Sequence, residues 1–187
     1  LGFETKGKGE YLFGFEESYG YLIGTHARDK DAIVSSLLIA EMAAFYNSKG
    51  TSIYKELQKL YQEFGYYLEG IKSVTLTGKD GIEKMANLMT ELRETVKDRT
   101  IDKNIKIKRD FKTKKELIVA TGEEKDILLP VENVIQFVLE DDTYITARPS
   151  GTEPKIKFYF SVNASTKEEV EKKLNETMEK FVATLKL

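Results

Sequence analysis

Residues 146–160 of this 187-residue chain have the sequence T-A-R-P-S-G-T-E-P-K-I-K-F-Y-F, which predicts a strand and a binding site. From residue 155 onward, basic or polar residues alternate with large apolar ones, the pattern of a strand with one buried face. The residues before it form a proline-stiffened turn that offers a phosphate dianion a planar two-point donor, two hydroxyl donors and close backbone approach. Lys155 or Lys157 adds positive charge. The candidate phosphate-binding residues are Arg148, Ser150, Gly151, Thr152 and Lys155.

The turn itself has two interpretations on residue chemistry alone. Pro-Ser-Gly-Thr is also ordinary turn chemistry, so a plain surface hairpin is the alternative to an anion site. The whole string R-P-S-G-T-E-P-K at 148–155 resembles the phosphate-binding loop in the C-terminal domain of the α-D-phosphohexomutases, the phosphoglucomutases, phosphomannomutases and their relatives. This resemblance implies that the loop holds the phosphate of a sugar phosphate.

A second motif lies far upstream of the first. Residues 16–18 are Glu-Glu-Ser, with a glycine two positions on, and they resemble the sugar-contacting motif in the third domain of the same family. By that resemblance Glu16 and Ser18 hold sugar hydroxyls, and Lys30 lies near the substrate. The tyrosines around the motif are similar to those of the bacterial phosphoglucomutase branch, which favours glucose 1-phosphate and glucose 6-phosphate as ligands. The pattern alone is also compatible with solvated acids at the end of a helix or strand.

Two family motifs are absent from the sequence. The family's catalytic serine lies in a Ser-His-Asn context and its Mg²⁺ in an Asp-Gly-Asp-x-Asp-Arg loop, and neither string occurs here. The resemblance therefore implies the C-terminal portion of a longer enzyme, with Mg²⁺ bound outside this chain and no catalytic residue or activity in the chain alone. Its partners would be sugar phosphates and the N-terminal domains of the same enzyme. The alternatives are a free-standing module that binds phosphate or nucleotide without catalysis, and a structural α+β interaction domain.

Composition narrows the class of protein. The chain has no cysteine and one histidine, His26, which excludes disulfides and argues against a metal site built on thiolates or histidines. Acids and bases are interspersed at a net charge of −2, and no apolar run is long enough for a membrane span. We therefore expect a cytoplasmic protein that binds neither nucleic acid nor membrane. A lysine-rich segment at 103–115 is interpreted as protected strand edges, or as a patch that attracts anionic substrates.

The periodicity predicts two domains. Residues 1–68 are expected to be an α/β fragment, the strand and helices of the third mutase domain, with a strand at 11–13 and helices at 30–48 and 51–64. The first helix is expected to bury Ile33, Leu37, Ala40 and Ala44, with Leu38 and Phe45 beside them. Gly65 to Gly70 is expected to be the connecting turn. Residues 69–187 are expected to form an α+β domain, an antiparallel sheet backed by two helices. Its strands are expected near 71–77, 105–111, 116–120, 134–139, 143–147 and 155–162, with one helix starting at Asp80 and a final helix capped by Ser165.

Overall fold

The computed structural model of the chain describes residues 9, 11–16, 19–78, 80–94 and 105–185. These residues form two compact units, Leu1–Leu60 and Tyr61–Leu187. The predicted fold class, an α/β fragment followed by an antiparallel sheet with helices, is confirmed. The domain boundary at 68/69 remains a prediction. Across the described ranges, no helix combines the length and the apolar character needed to cross a membrane.

The first unit consists of an antiparallel β-hairpin followed by helices. The hairpin's second strand was not predicted, because its four residues are too few to show an alternating pattern. The second helix begins in this unit and ends in the other one. The elements are β1 (Phe13–Glu16), β2 (Gly20–Ile23), α1 (Ala32–Ser48) and α2 (Ile53–Phe64).

Helix α1 begins where its sequence indicates but does not bury the predicted face. The Asp31 carboxylate accepts hydrogen bonds from the backbone N–H groups of Ile33 and Val34, so Asp31 is the N-cap. The predicted buried face is wrong, since Ile33 is 84% and Leu37 is 70% exposed. Within the first unit the helix packs on β2, with Ser35 as its buried residue. Because apolar residues surround α1 on every side, the periodicity cannot select one face.

The second unit is built on one antiparallel sheet of seven strands, in the order β3-β9-β8-β7-β4-β5-β6. Two helices, α3 (Gly81–Glu94) and α4 (Lys167–Thr184), supply residues to its core. The strands are β3 (Tyr66–Thr75), β4 (Ile105–Asp110), β5 (Lys115–Ile118), β6 (Glu123–Asp126), β7 (Ile135–Leu139), β8 (Tyr144–Pro149) and β9 (Lys155–Ala164).

The core lies between the helices and one face of this sheet. Phe158 and Phe160 of β9 are buried, and the Phe181 ring of α4 meets both edge-on, at centroid distances of 5.2 and 5.7 Å. Burying one such side chain stabilises the fold by about 1.5–3 kcal/mol. Because side chains alternate along a strand, Lys157 and Tyr159 project from the opposite face, which we call the outer face.

The two glycines of the predicted connecting turn, Gly65 and Gly70, lie within the second unit and have other roles. Gly65 adopts a φ of 88° and donates its N–H to the Tyr61 carbonyl at 2.9 Å, which ends α2. Gly70 lies within β3, where a Cβ would stand 2.8 Å from the Met178 sulfur of α4. Glycine at position 70 therefore allows α4 to approach the sheet closely and does not form a turn. Thr166, two residues after β9 ends, caps α4 in place of the predicted Ser165.

Candidate functional site

The candidate phosphate loop is the connection between β8 and β9. In the register of these strands Arg148 lies opposite Lys157, and Pro149 lies opposite Ile156. The Ser150 N–H donates to the Lys155 carbonyl at 2.7 Å, which closes the loop. Residues 150–155 therefore form the tip of a tight hairpin whose two ends are held by the sheet.

Ser150 organises the inside of the loop. Its Oγ accepts hydrogen bonds from the backbone N–H groups of Thr152 at 3.3 Å and Glu153 at 3.2 Å, a turn typical of serine. The two hydroxyl oxygens of Ser150 and Thr152 lie 3.5 Å apart. A hydroxyl that accepts through its lone pairs still has its own hydrogen to donate. These hydrogen bonds shape the loop, and its hydroxyl groups retain a hydrogen to donate to a ligand.

A cavity of about 370 Å³ lies over this loop. All five predicted phosphate-binding residues line it, two of them cationic, and a third cation also lines it; among the described residues the one carboxylate in the lining is that of Glu153. No ion pair joins any of the three cations to a carboxylate among the described residues. Unneutralised positive charge in a concave site attracts anions. The cations are Arg148, Lys155 and Lys157.

Two glycines near the loop differ in what they allow. A Cβ on Gly81, at the start of α3, would overlap the Leu76 carbonyl and stand 3.0 Å from the Pro154 Cβ. A Cβ on Gly151 would meet nothing within 4 Å, and its φ lies outside the left-handed region. Neither packing nor conformation therefore requires glycine at 151, which leaves close approach of a ligand as a reason for it.

The tip of the hairpin is hydrogen-bonded to the segment that follows β3. The Leu76 N–H donates to the Pro154 carbonyl at 2.8 Å, immediately after β3 ends. Together with the tight packing of Gly81 on Pro154, this bond fixes the far side of the loop. The phosphate loop is therefore held by the sheet at its base and by the β3–α3 connection at its tip.

The outer face contributes a wall of the cavity that the motif did not reveal. Tyr159 lines the cavity and lies opposite Thr146 in the register. Thr146 accepts a hydrogen bond from Gln136 at 3.0 Å, and Gln136 in turn accepts one from Arg109 at 2.9 Å. Period-two alternation from Lys155 places Tyr159 on the face of the lysines, so this part of the site could have been predicted.

The candidate sugar site lies in the first unit. The Lys30 ammonium is 2.8 Å from an oxygen of Asp29 and 3.3 Å from one of Glu16, and these hydrogen bonds, Asp29's first, raise the pKa of Lys30. A Cβ on Gly20 would overlap the Lys30 side chain, so this glycine lets the lysine cross β2 to reach Glu16. Glu16, Asp29 and Lys30 line a cavity of about 200 Å³. Ser18, the remaining predicted sugar ligand, lies outside the described residues.

The described residues do not fit a metal site. In the ranges that the structure covers, no three His, Cys, Asp or Glu side chains are grouped to hold an ion. Divalent magnesium is bound through carboxylates and phosphates, and such a donor set is not assembled here.

The sequence of this chain is similar to a family profile and to curated proteins. The sequence profile described as phosphoglucomutase/phosphomannomutase, alpha/beta/alpha domain III, matches residues 3–64. A phosphoglucomutase of Staphylococcus haemolyticus is 35% identical over 160 residues, which are 86% of this chain and 29% of that protein. A phosphoglucomutase of Staphylococcus aureus is 35% identical over 164 residues, 88% of this chain and 30% of that protein. The chain thus spans about three-tenths of the length of these curated relatives.

A solved structure shares the fold. It is described as the exocytosis-sensitive phosphoprotein pp63/parafusin, a phosphoglucomutase from Paramecium, in its open form; its TM-score is 0.57 at 18% identity, and the match covers 95% of this chain and 31% of that one. Residues 3–64 are similar to domain III of the phosphoglucomutases and phosphomannomutases, and the solved structure shares the α/β fold. Together with the curated relatives, they support a C-terminal fragment of a phosphohexomutase, as the two motifs predicted.

Proposed function

We propose that this chain is the substrate-binding part of a phosphohexomutase, an isomerase that interconverts hexose 1-phosphate and hexose 6-phosphate. The Arg148 loop holds the phosphate that does not react, through Arg148, Ser150, Gly151, Thr152 and Lys155. Glu16, Ser18 and Lys30 hold sugar hydroxyls. Glucose phosphates are the favoured ligands, and the whole enzyme is a cytoplasmic phosphoprotein.

One observation carries the proposal. The cavity over the loop gathers the five residues of the motif together with cations that no described carboxylate neutralises. Other cations on the same sheet are paired, such as Arg109 with Glu116 at 2.6 Å and Lys115 with Asp126 at 2.9 Å. Unpaired cations beside hydroxyl and backbone donors form a site suited to a phosphate monoester.

The division of labour follows from the chemistry of the reaction. An enzyme phosphoserine transfers its phosphate to a free hydroxyl of the hexose monophosphate, and the resulting bisphosphate returns its other phosphate to the serine. One phosphate reacts while the other must be held, so two subsites are needed. Transfer depends on positioning and charge stabilisation. In this proposal the phosphoserine, and the Mg²⁺ that stabilises charge, belong to domains outside this chain, while the chain binds and orients the substrate.

The hydroxyl contacts suit a substrate that binds in two orientations. A hexose bisphosphate must be held with either phosphate in the Arg148 loop. The carboxylate of Glu16 can accept hydrogen bonds from different sugar hydroxyls, and the ammonium of Lys30 can donate hydrogen bonds to different ones. A closely shaped apolar pocket would favour one orientation only.

The purified chain provides the first test. We expect no conversion of glucose 1-phosphate by the chain alone, and amide shifts at Ser150 and Gly151 when inorganic phosphate or glucose 6-phosphate is titrated. In the whole enzyme, Arg148→Ala is expected to weaken substrate binding by about 2–5 kcal/mol. Arg148→Lys keeps the charge without the planar fork and should recover only part of the loss.

Two results would count against this function. Turnover by the isolated chain would show that the chemistry does not need other domains. Substrate kinetics of the Arg148→Ala enzyme equal to wild type would remove the loop from the site. The alternative of a free-standing binding module fails if the natural reading frame continues upstream through a Ser-His-Asn motif and an acidic metal loop.

A further inference from the structure

Arg148 and Lys157 occupy an unusual position in the sheet. They are direct partners in the β8–β9 register, and both side chains line the cavity over the loop. The neighbour of Lys157 on its other side, in β3, is Ser73, which carries no charge. Two cations are thus placed side by side on the outer face, and among the described residues that line the cavity the one carboxylate is that of Glu153, at the loop tip.

Two other cations in this sheet lie directly opposite carboxylates. Lys115 lies opposite Asp126 with its ammonium 2.9 Å from the carboxylate, and Arg109 lies opposite Glu116 at 2.6 Å. Opposite charges across a strand pair stabilise a sheet, and like charges directly opposite destabilise it. The Arg148–Lys157 pair is therefore unfavourable for the fold by itself. A bound anion would remove that repulsion.

We infer that Lys157 is a specificity-determining residue which, with Arg148, forms a two-cation clamp selective for a doubly charged phosphoryl group over a singly charged anion of the same shape. The inference rests on the proposed function and deepens it, because it names the charge state that the site selects. Lys157 lies outside the loop motif and reaches the cavity only through its register with Arg148. A second cation interacts with each ligand charge, so its contribution grows with the charge of the ligand.

The test compares two ligands that differ in charge. Binding of glucose 6-phosphate at pH 7.5, where the phosphate is doubly charged, is measured against glucose 6-sulfate, which carries one charge. Lys157→Gln is expected to lower the phosphate-to-sulfate selectivity by about fivefold, the effect of one charge at about 4 Å in water. Its thermal midpoint should remain the same or rise, because a like-charge pair has been removed.

Matched variants separate the inference from the proposed function. Lys72→Gln removes the same charge from the residue next to Ser73, outside the cavity, and should leave the selectivity of wild type. Arg148→Ala should lose both ligands. If Lys157→Gln keeps wild-type selectivity while Arg148→Ala loses binding, the clamp is refuted and the phosphate site stands. If the wild-type chain binds neither ligand, both ideas are overturned.

Discussion

Replacing Gly151 by alanine tests whether the space over the phosphate loop is kept for a ligand. In the structure a Cβ at this position meets no atom within 4 Å, and the backbone is not in the left-handed region. Alanine should therefore fit the folded state. Because alanine has less freedom than glycine in the unfolded chain, we expect the free energy of unfolding to rise by about 0.4–1 kcal/mol.

Ligand binding should change in the opposite direction. The added methyl group would stand in the open cavity, where it would keep a phosphate from the Gly151 backbone N–H, which donates to no group among the described residues. Losing one hydrogen bond to a charged group costs about 1.5–3 kcal/mol, so affinity for glucose 6-phosphate should fall at least about tenfold. Urea unfolding measures the first effect, and calorimetric titration of the chain measures the second.

Gly81→Ala is the matched control for this substitution. Its Cβ would overlap the Leu76 carbonyl, so it should destabilise the fold by about 1–3 kcal/mol. Unchanged affinity in Gly151→Ala would show that no ligand uses the space over this glycine. A loss of more than about 1 kcal/mol of stability in Gly151→Ala would refute the packing argument.

Two further predictions concern the first unit. The hydrogen bond from the Val34 N–H, and after it the one from His26, hold the pKa of the Asp31 carboxyl below its ordinary 3.8. The ionised Asp31 carboxylate therefore stabilises the fold fully above pH 3.8. This stabilisation is lost as the pH falls through the lower pKa that Asp31 has in the folded chain. Far-ultraviolet circular dichroism from pH 5 to 2 should therefore show a loss of helix in wild type that Asp31→Asn lacks, and identical curves would contradict the cap. Gly20→Ala should push the Lys30 side chain away from its carboxylate partners and bring the raised pKa of Lys30 down towards 10.5. An NMR titration of the Lys30 side chain checks this, and an unchanged pKa would refute the steric argument.

The hairpin that carries the candidate phosphate-binding residues was predictable because its features are local in sequence. Turn chemistry, hydroxyls and cations all lie within 148–157, and alternation along β9 determines which face they share. A hairpin brings such residues together by its own geometry. The register of Arg148 with Lys157 then follows from the length of the loop.

Other parts of the fold depend on contacts between residues that are distant in sequence. Their local sequence patterns therefore did not predict the observed structure. Strand β6 has the sequence EEKD and is exposed throughout, so it shows no alternation, and its place at the sheet edge comes from pairing with β5. Gly70 resembled a turn residue because glycine often is one, whereas in the structure it lets the side chains of Leu174 and Met178 approach β3 closely. Nothing near Gly70 in the sequence reports those helix residues.

The contacts that the loop tip makes with the β3–α3 connection limit how this site could be transferred to another protein. The base of the loop needs only a two-stranded hairpin, but its tip also needs the Leu76 N–H and the bare backbone of Gly81, both more than sixty residues away along the chain. A transplanted RPSGTEPK segment would bring its donors and leave those supports behind. A designer who wanted the pocket would have to transfer the end of β3 and the first turn of α3 with the hairpin.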